Sequence, residues 1–342
     1  MKKTTDPTLE SISQQLDVSV STVSRVLNGK WEKYRISKKT AEKILETAKQ
    51  LNYSPNQLAR GLRLSRTNTI GLMIPDIANP FFAKIASYIE KSARDSGYSV
   101  IVSDSEEKTS IEKSSLQTLT SRKIDGIVLS PVGEDSSHLI QASDKNIPIV
   151  LIDRYFAGLK LPYVGTDNFK GSFEAVNYLI ENGHKRIAFV QGIQNTSVNQ
   201  DRVKGYIEAL KSHNIAVDFD LIVGDSFGEE NGYVETKLLV NLDNPPTAIF
   251  AGSNLISLGA LRALDEENLK VPQDISIISF DEQPYSGYLA TPMTTVSQPS
   301  KEIASIAFKL LIDQIENNKV IDSHKILLPA KMMVRKSVRN IQ

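Results

Sequence analysis

Hydrophobic spacing divides the chain into a short helical head and a long body in which strands and helices alternate. In "TLESISQQL", Leu9, Ile12 and Leu16 fall at i, i+3 and i+7, one apolar stripe of a helix that Thr8 can cap. "DVS" reads as a tight turn. A second helix is predicted over 20–27 with Ser19 as its cap; Val23, Val26 and Leu27 face inward, and Val20, Ser21 and Arg25 lie opposite. A third, "SKKTAEKILETAKQLNY", starts at Ser37 and is expected to bury Ala41, Ile44, Leu45, Ala48 and Leu51. In "SPNQLARGLRLSRTNT", Pro55 suits the first turn of a helix over 56–63 that is too short to be stable alone.

From Thr69 the rhythm changes. "TIGLMIPD" reads as a strand, "PFFAKIASYIEKSARDSGY" as an amphipathic helix and "SVIVSDS" as a strand again, and the alternation continues through "DGIVLSP" and "IPIVLIDR". That rhythm predicts a parallel sheet covered by helices on both faces. The plan then restarts at "RIAFVQG", with Ile187 corresponding to Ile70, and runs to "ISIISFDE". Two similar α/β subdomains with a cleft between their strand ends make a ligand-binding geometry.

The 342 residues suit two or three domains. Net charge is zero, but residues 1–66 hold 13 Lys/Arg and 6 Asp/Glu, a balance of +7 that the remainder offsets with −7. A basic head on an acidic body suggests that the head meets a polyanion, although a solvated charged surface would look similar. There is no cysteine, so disulfide and thiolate chemistry are excluded and a reducing, cytoplasmic setting fits. The opening residues have no apolar run of a signal peptide, and no stretch approaches a membrane span. His138, His184, His213 and His324 are scattered without metal-ligand spacing, and no cofactor motif is present.

Two short helices joined by a tight turn make a helix-turn-helix whose second helix is small-faced enough to enter a major groove. The Arg25 fork can bond a guanine edge bidentately, and short hydroxyls let the backbone approach the duplex. "VSVSTVSRVLNGK", "LNYSPNQLARGLR", "SRTNTIGLMIPDIANPFF" and "GIVLSP" resemble signatures of the lactose-repressor (LacI/GalR) family of bacterial transcription regulators, in order and spacing, over essentially the whole chain. The resemblance places Val20, Ser21 and Arg25 where that family reads bases, with Thr22 and Asn28 beside them. It places Leu62 where a hinge-helix leucine wedges into the minor groove, flanked by Asn56, Ala59 and Arg63. It implies domains at 1–54 (helix-turn-helix) and 55–68 (hinge), and an effector and dimerisation domain at 69–342. The last would be a periplasmic-binding-protein type I body, with one subdomain over 69–166 and 299–328 and the other over 167–297 and 329–340. It also implies a homodimer, or a tetramer, on a double-stranded pseudo-palindromic operator.

In such a body the ligand groups sit in loops after the strands' carboxyl ends. The candidates are Asn79, Phe81, Phe82, Asp153, Arg154, Arg202, Phe227, Ser253, Asn254, Asp281 and Gln298. Aromatic rings can stack on a sugar's apolar faces, while carboxylates, amides and guanidinium groups satisfy its hydroxyls. Two arginines would also suit a sugar acid or phosphorylated sugar. Asn79 could instead merely cap a helix, and Arg154 could form a structural ion pair.

Four positions depart from the family pattern. Asp17 stands for the usual turn glycine, Gly61 for a serine, and the "NGKWEKYRIS" loop is longer. Ser253-Asn254 replaces the usual Asn-Asp. In that loop Lys33 and Arg35 could reach phosphates, while Trp31 and Tyr34 could simply pack. An enzyme is a poor alternative, because no nucleophile–base–orienter set or catalytic motif is evident. A soluble sugar carrier would share the body but not the head.

Overall fold

The computed structural model describes residues 7–53, 66–317 and 324–342. The chain forms two units, 1–67 and 68–342. The expected hinge helix, with Asn56, Ala59, Leu62, Arg63, Pro55 and Gly61, lies outside the described residues.

In the first unit three helices share one small core. A reciprocal cap opens α1 (Leu9–Leu16): Thr8 Oγ1 accepts from the Ser11 backbone N–H, and Ser11 Oγ accepts from the Thr8 N–H. Asp17 then turns the chain at φ 49°, ψ 49°, the left-handed region that aspartate tolerates better than most residues. Ser19 Oγ accepts from the Thr22 N–H to open α2 (Val20–Leu27), and Ser37 caps α3 (Lys38–Gln50) in the same way. Ile12, Val23, Val26, Ala41, Ile44 and Ala48 form the core, and Trp31, Ile36 and Leu51 pack at its edge. One expected core position is wrong: Leu45 is 49% exposed. It lies one residue, about 100° of helix turn, beyond Ile44. The inward face is carried by Ala41, Ile44, Ala48 and the unexpected Thr47.

The second unit contains two six-stranded sheets. The first is built from β1 (Thr69–Ile74), β2 (Ser99–Asp104), β3 (Gly126–Leu129), β4 (Ile149–Ile152), β5 (Tyr163–Thr166) and β11 (Lys325–Leu328), in the order β11-β5-β4-β3-β1-β2, with every pair parallel. Its helices are α4 (Pro80–Asp95), α5 (Thr109–Ser121), α6 (Ser137–Asp144) and α11 (Ser300–Asn317). The second has β6 (Ile187–Val190), β7 (Ile222–Val223), β8 (Ala248–Ala251), β9 (Ser276–Phe280), β10 (Thr294–Ser297) and β12 (Lys331–Met333), in the order β12-β10-β9-β8-β6-β7. Only β12 runs antiparallel to its neighbour. It carries α7 (Asn168–Glu181), α8 (Ser197–Ser212), α9 (Glu229–Val240) and α10 (Asn254–Glu266).

The central strands of each sheet are buried on both faces, which explains their short runs such as GIVL, IVLI, IAFV and AIFA. One face of the first sheet packs on α4 and α11 through Ile85, Ile89, Ile303 and Leu311, and the other on Leu116, Leu119 and Leu139 of α5 and α6. In the second sheet Val176, Leu179 and Tyr206 cover one face, and Leu239, Ile256 and Leu264 the other. The chain passes between the sheets three times, after β5, after β10 and after β11. α9 and α10 approach closely enough that glycine is required at the crossing. A Cβ on Gly232 would strike the Ile256 carbonyl, and one on Gly259 the Glu229 carbonyl.

Candidate functional site

Two surfaces carry the chemistry. On the head, the side of α2 away from the core exposes Val20 (39%), Ser21 and Arg25. Thr22 Oγ1 is bonded to Ser19 Oγ at the cap (2.8 Å), and Asn28 Nδ2 donates to the Ser24 carbonyl (2.5 Å). Those two groups therefore shape the helix ends first. The Arg25 guanidinium lies over the Tyr34 ring, 4.1 Å from its centroid. The long loop thus divides its aromatics: Trp31 packs on the core, and Tyr34 holds the arginine.

In the body, residues from both sheets converge on one pocket. It is lined by Asn79, Phe81 and Phe82 from the start of α4, Asp153 and Arg154 after β4, and Val198 and Arg202 on α8. Phe227, Ser253, Asp281 and Gln298 close it, together with Glu107, which follows β2. Ten of the eleven sequence-chosen positions are brought together; Asn254 does not line this pocket and borders a smaller cavity instead. Glu107 and Val198 were missed. Glu107 satisfies the same rule, since it sits in the loop after the carboxyl end of β2.

Asp153 and Asp281 occupy matching places, at the ends of β4 and β9, and both are left-handed, with φ 59° and 73°. Burial pushes the Asp153 carboxyl up to about 6, although the Arg154 and Arg202 charges pull it down. Burial likewise lowers Arg202, against the attraction of Asp281 and Asp153. The two arginines are already engaged. Arg154 forms a two-pronged pair with Glu107 (2.6 Å to each oxygen), which outweighs its burial and keeps it charged, and it lies 5.4 Å from the Phe227 centroid. Arg202 donates to Asn168 Oδ1 (2.8 Å) and the Gly252 carbonyl (2.6 Å), and stacks 3.7 Å from the Phe280 centroid.

The remaining groups also have structural duties. Asn79 Oδ1 caps α4 by accepting from the Phe81 N–H, which leaves its Nδ2 and one oxygen lone pair for a ligand. Ser253 Oγ caps α10 and donates to the Phe227 carbonyl. Gln298 ties the crossover strands together: its Nε2 donates to Asp281 Oδ1, and its Oε1 accepts from Thr166 Oγ1, each at 2.5 Å. Phe81 and Phe82 meet edge to face at 5.0 Å and also belong to the core.

Residues 8–56 match the family described as bacterial regulatory proteins, lacI family, and residues 176–338 match a periplasmic binding protein-like domain. The chain is 34% identical to the transcriptional repressor CytR of Escherichia coli, over 99% of this chain and 98% of that protein. It is 32% identical to the ribose operon repressor of Halalkalibacterium halodurans, over 97% of each. A lac repressor dimer bound to operator and an anti-inducer superposes with a TM-score of 0.87 at 25% identity, covering 98% of this chain and all of that one. The chain belongs to the LacI family. It is a DNA-binding transcriptional regulator, not an enzyme.

LacI-family membership accounts for the joining of this head to this body. It also makes the pocket's size informative. Its free volume is about 30 Å³, whereas small-molecule sites run roughly 300–1,000 Å³. Links between the two halves hold it shut. The Tyr155 N–H donates to Ser197 Oγ (3.0 Å), Asn195 Nδ2 to Glu134 Oε1 (2.5 Å) and Lys84 Nζ to the Glu282 carbonyl (2.8 Å). A ligand of sugar size needs more free space than these elements leave between them. Among the described residues no helix is long and apolar enough to cross a membrane.

Proposed function

We propose that this regulator is a cytoplasmic repressor of sugar-utilisation genes, that it grips a pseudo-palindromic operator as a homodimer, and that a neutral polyhydroxylated effector in the cleft releases it. The observation that carries this reading is the pocket itself: polar and aromatic side chains from both sheets meet in a space too narrow for a sugar as it stands. A ligand favouring the parted arrangement shifts the balance between two states, which is what regulation requires. In the head, Val20, Ser21 and Arg25 read bases.

Charge favours a neutral effector over a sugar acid or phosphorylated sugar. Glu107, Asp153 and Asp281 face only Arg154 and Arg202, and both arginines are engaged. An anion would add to a carboxylate surplus in a buried site. The relatives support the sugar class, since one of them is named for the ribose operon. The dimer is supported by exposed apolar residues on and just after α9, on α10 and in the loop after β9: Leu238 is 62% and Tyr288 88% exposed, with Val234, Leu242, Leu258 and Tyr285 also uncovered.

The test is a thermal-shift panel of neutral pentoses and hexoses beside uronic acids and sugar phosphates, followed by operator gel shifts. A neutral sugar should raise the melting temperature and weaken operator binding. Asp281→Asn keeps the left-handed turn and should bind operator normally, yet need about 10–100-fold more sugar, the cost of losing hydrogen bonds to a buried charge. Stabilisation by a uronic acid alone would overturn the charge argument. An undiminished response in Asp281→Asn would remove the cleft from the mechanism.

A further inference from the structure

Behind Asp281 lies a second, smaller cavity of about 20 Å³. Asp281 lines both this cavity and the cleft pocket. Two carboxamides line it too: Asn254, the first residue of α10, and Gln283, two residues past Asp281. They are 4% and 2% exposed, and all four of their side-chain polar atoms lack a partner. Two buried amides wholly unpartnered in one cavity is costly, since each stranded group loses hydration without replacement.

The neighbouring serine hydroxyls bond backbone groups rather than either carboxamide side chain. Ser257 Oγ donates to the Asn254 carbonyl (2.7 Å), Ser279 Oγ to the Phe280 carbonyl (2.7 Å), and Ser286 Oγ accepts from the Gln283 backbone N–H (3.1 Å). Asp281, the cavity's charged residue, already accepts from Gln298. Leu258, Leu261 and Met293 supply apolar wall. What fits is small, neutral and able both to donate and to accept. A site needs at least about 10–15 Å³ to hold a water, so the space takes one oxygen and little more.

We propose that Asn254 and Gln283 form an inner subsite for a single neutral hydroxyl group, which bridges the two amides behind Asp281. The hydroxyl comes either from a water or from an arm of the effector reaching past Asp281; the second source rests on the cleft being the effector site, the first does not. The subsite discriminates by size and charge. It accepts O–H and excludes a carboxylate or phosphate, which would lie against Asp281. Because Leu258 and Tyr285 border the same cavity, the bridge also ties the Asp281 segment to these exposed apolar residues.

The experiment uses the full chain without effector. Asn254→Leu, Gln283→Met and the double variant are melted beside wild type, and wild type is crystallised at high resolution. If a hydroxyl bridges the amides, each single variant strands it and melts roughly 2–4 °C lower, while the double variant recovers most of the loss. Density for one oxygen within hydrogen-bond distance of both amides is expected. Single variants that melt higher than wild type, additive losses, or amides bonded to protein atoms around a dry cavity would overturn the subsite. Crystals soaked with D-ribose and D-galactose distinguish the sources: a retained isolated oxygen assigns water, and continuous density to a sugar assigns the ligand. Failure of either sugar to bind counts against the effector class proposed above and leaves the water result standing.

Discussion

Single residues carry both the clearest readings and the clearest misses. Asp153 titrates near 6 in the folded chain, against an ordinary value of 3.8. The folded state therefore binds a proton that the unfolded chain releases between about pH 4 and 6. Stability from this group falls as pH rises through that window, and the full penalty stands above it. Asp153→Asn removes the penalty and tolerates the left-handed turn. Urea melts should show the variant's gain over wild type growing from pH 4 to 6 and then levelling, at roughly 3 kcal/mol or less. A constant difference across that range would refute the shifted carboxyl. On the head, Arg25→Ala should cost about 1–3 kcal/mol at one operator base pair and leave the others unchanged, as operator libraries can read. That arginine stood out in the sequence as the lone charge on a small-faced helix. Its seat on Tyr34 did not, because the two residues meet only through the fold of a long loop. Arg154 was legible as a pocket residue but not as the partner of Glu107, since 47 residues separate the pair.

At the level of elements, local signals were strong wherever the chain caps or alternates. Thr8, Ser19 and Ser37 could all be read as helix starts, and each accepts the expected N–H. Ser19→Ala should lower head stability by about 1 kcal/mol, checked by melting the full chain and following the first unit by hydrogen exchange. The strand–helix rhythm announced two parallel sheets because strands buried on both faces cannot hide their apolar content. It could not say that β11 joins β5, or that β12 turns antiparallel beside β10, because both pairings span long sequence separations. Nor does spacing reveal where helices nearly touch. Gly259→Ala places a methyl against the Glu229 carbonyl of α9, and backbone cannot swing aside as a side chain can. The expected loss is about 1–3 kcal/mol, with α9 and α10 displaced. An unchanged melting temperature would show that the two helices slide freely.

For the whole molecule, charge and apolar exposure must be read together. The +7 balance of residues 1–66 attracts DNA of any sequence, so salt should weaken binding steeply, by about 0.9 of a logarithmic unit per phosphate neutralised and per decade of salt. The proposed homodimer puts two heads on one pseudo-palindrome, and the exposed apolar residues Leu238 and Tyr288 are a surface that can hold the second copy. Leu238→Asp with Tyr288→Asp places charges where an apolar face would be covered. Neither residue belongs to the core clusters, so the chain should still fold. Sedimentation should then give the monomer mass, operator affinity should fall by about 100-fold or more, and the salt slope should drop towards half, since linking two heads multiplies affinity without adding contacts. Sugar-induced melting shifts should persist, because the cleft lies within one chain. If the charged variant still sediments as a dimer and binds operator fully, the second copy uses another face, and the exposed apolar residues of α9 and α10 need a different partner.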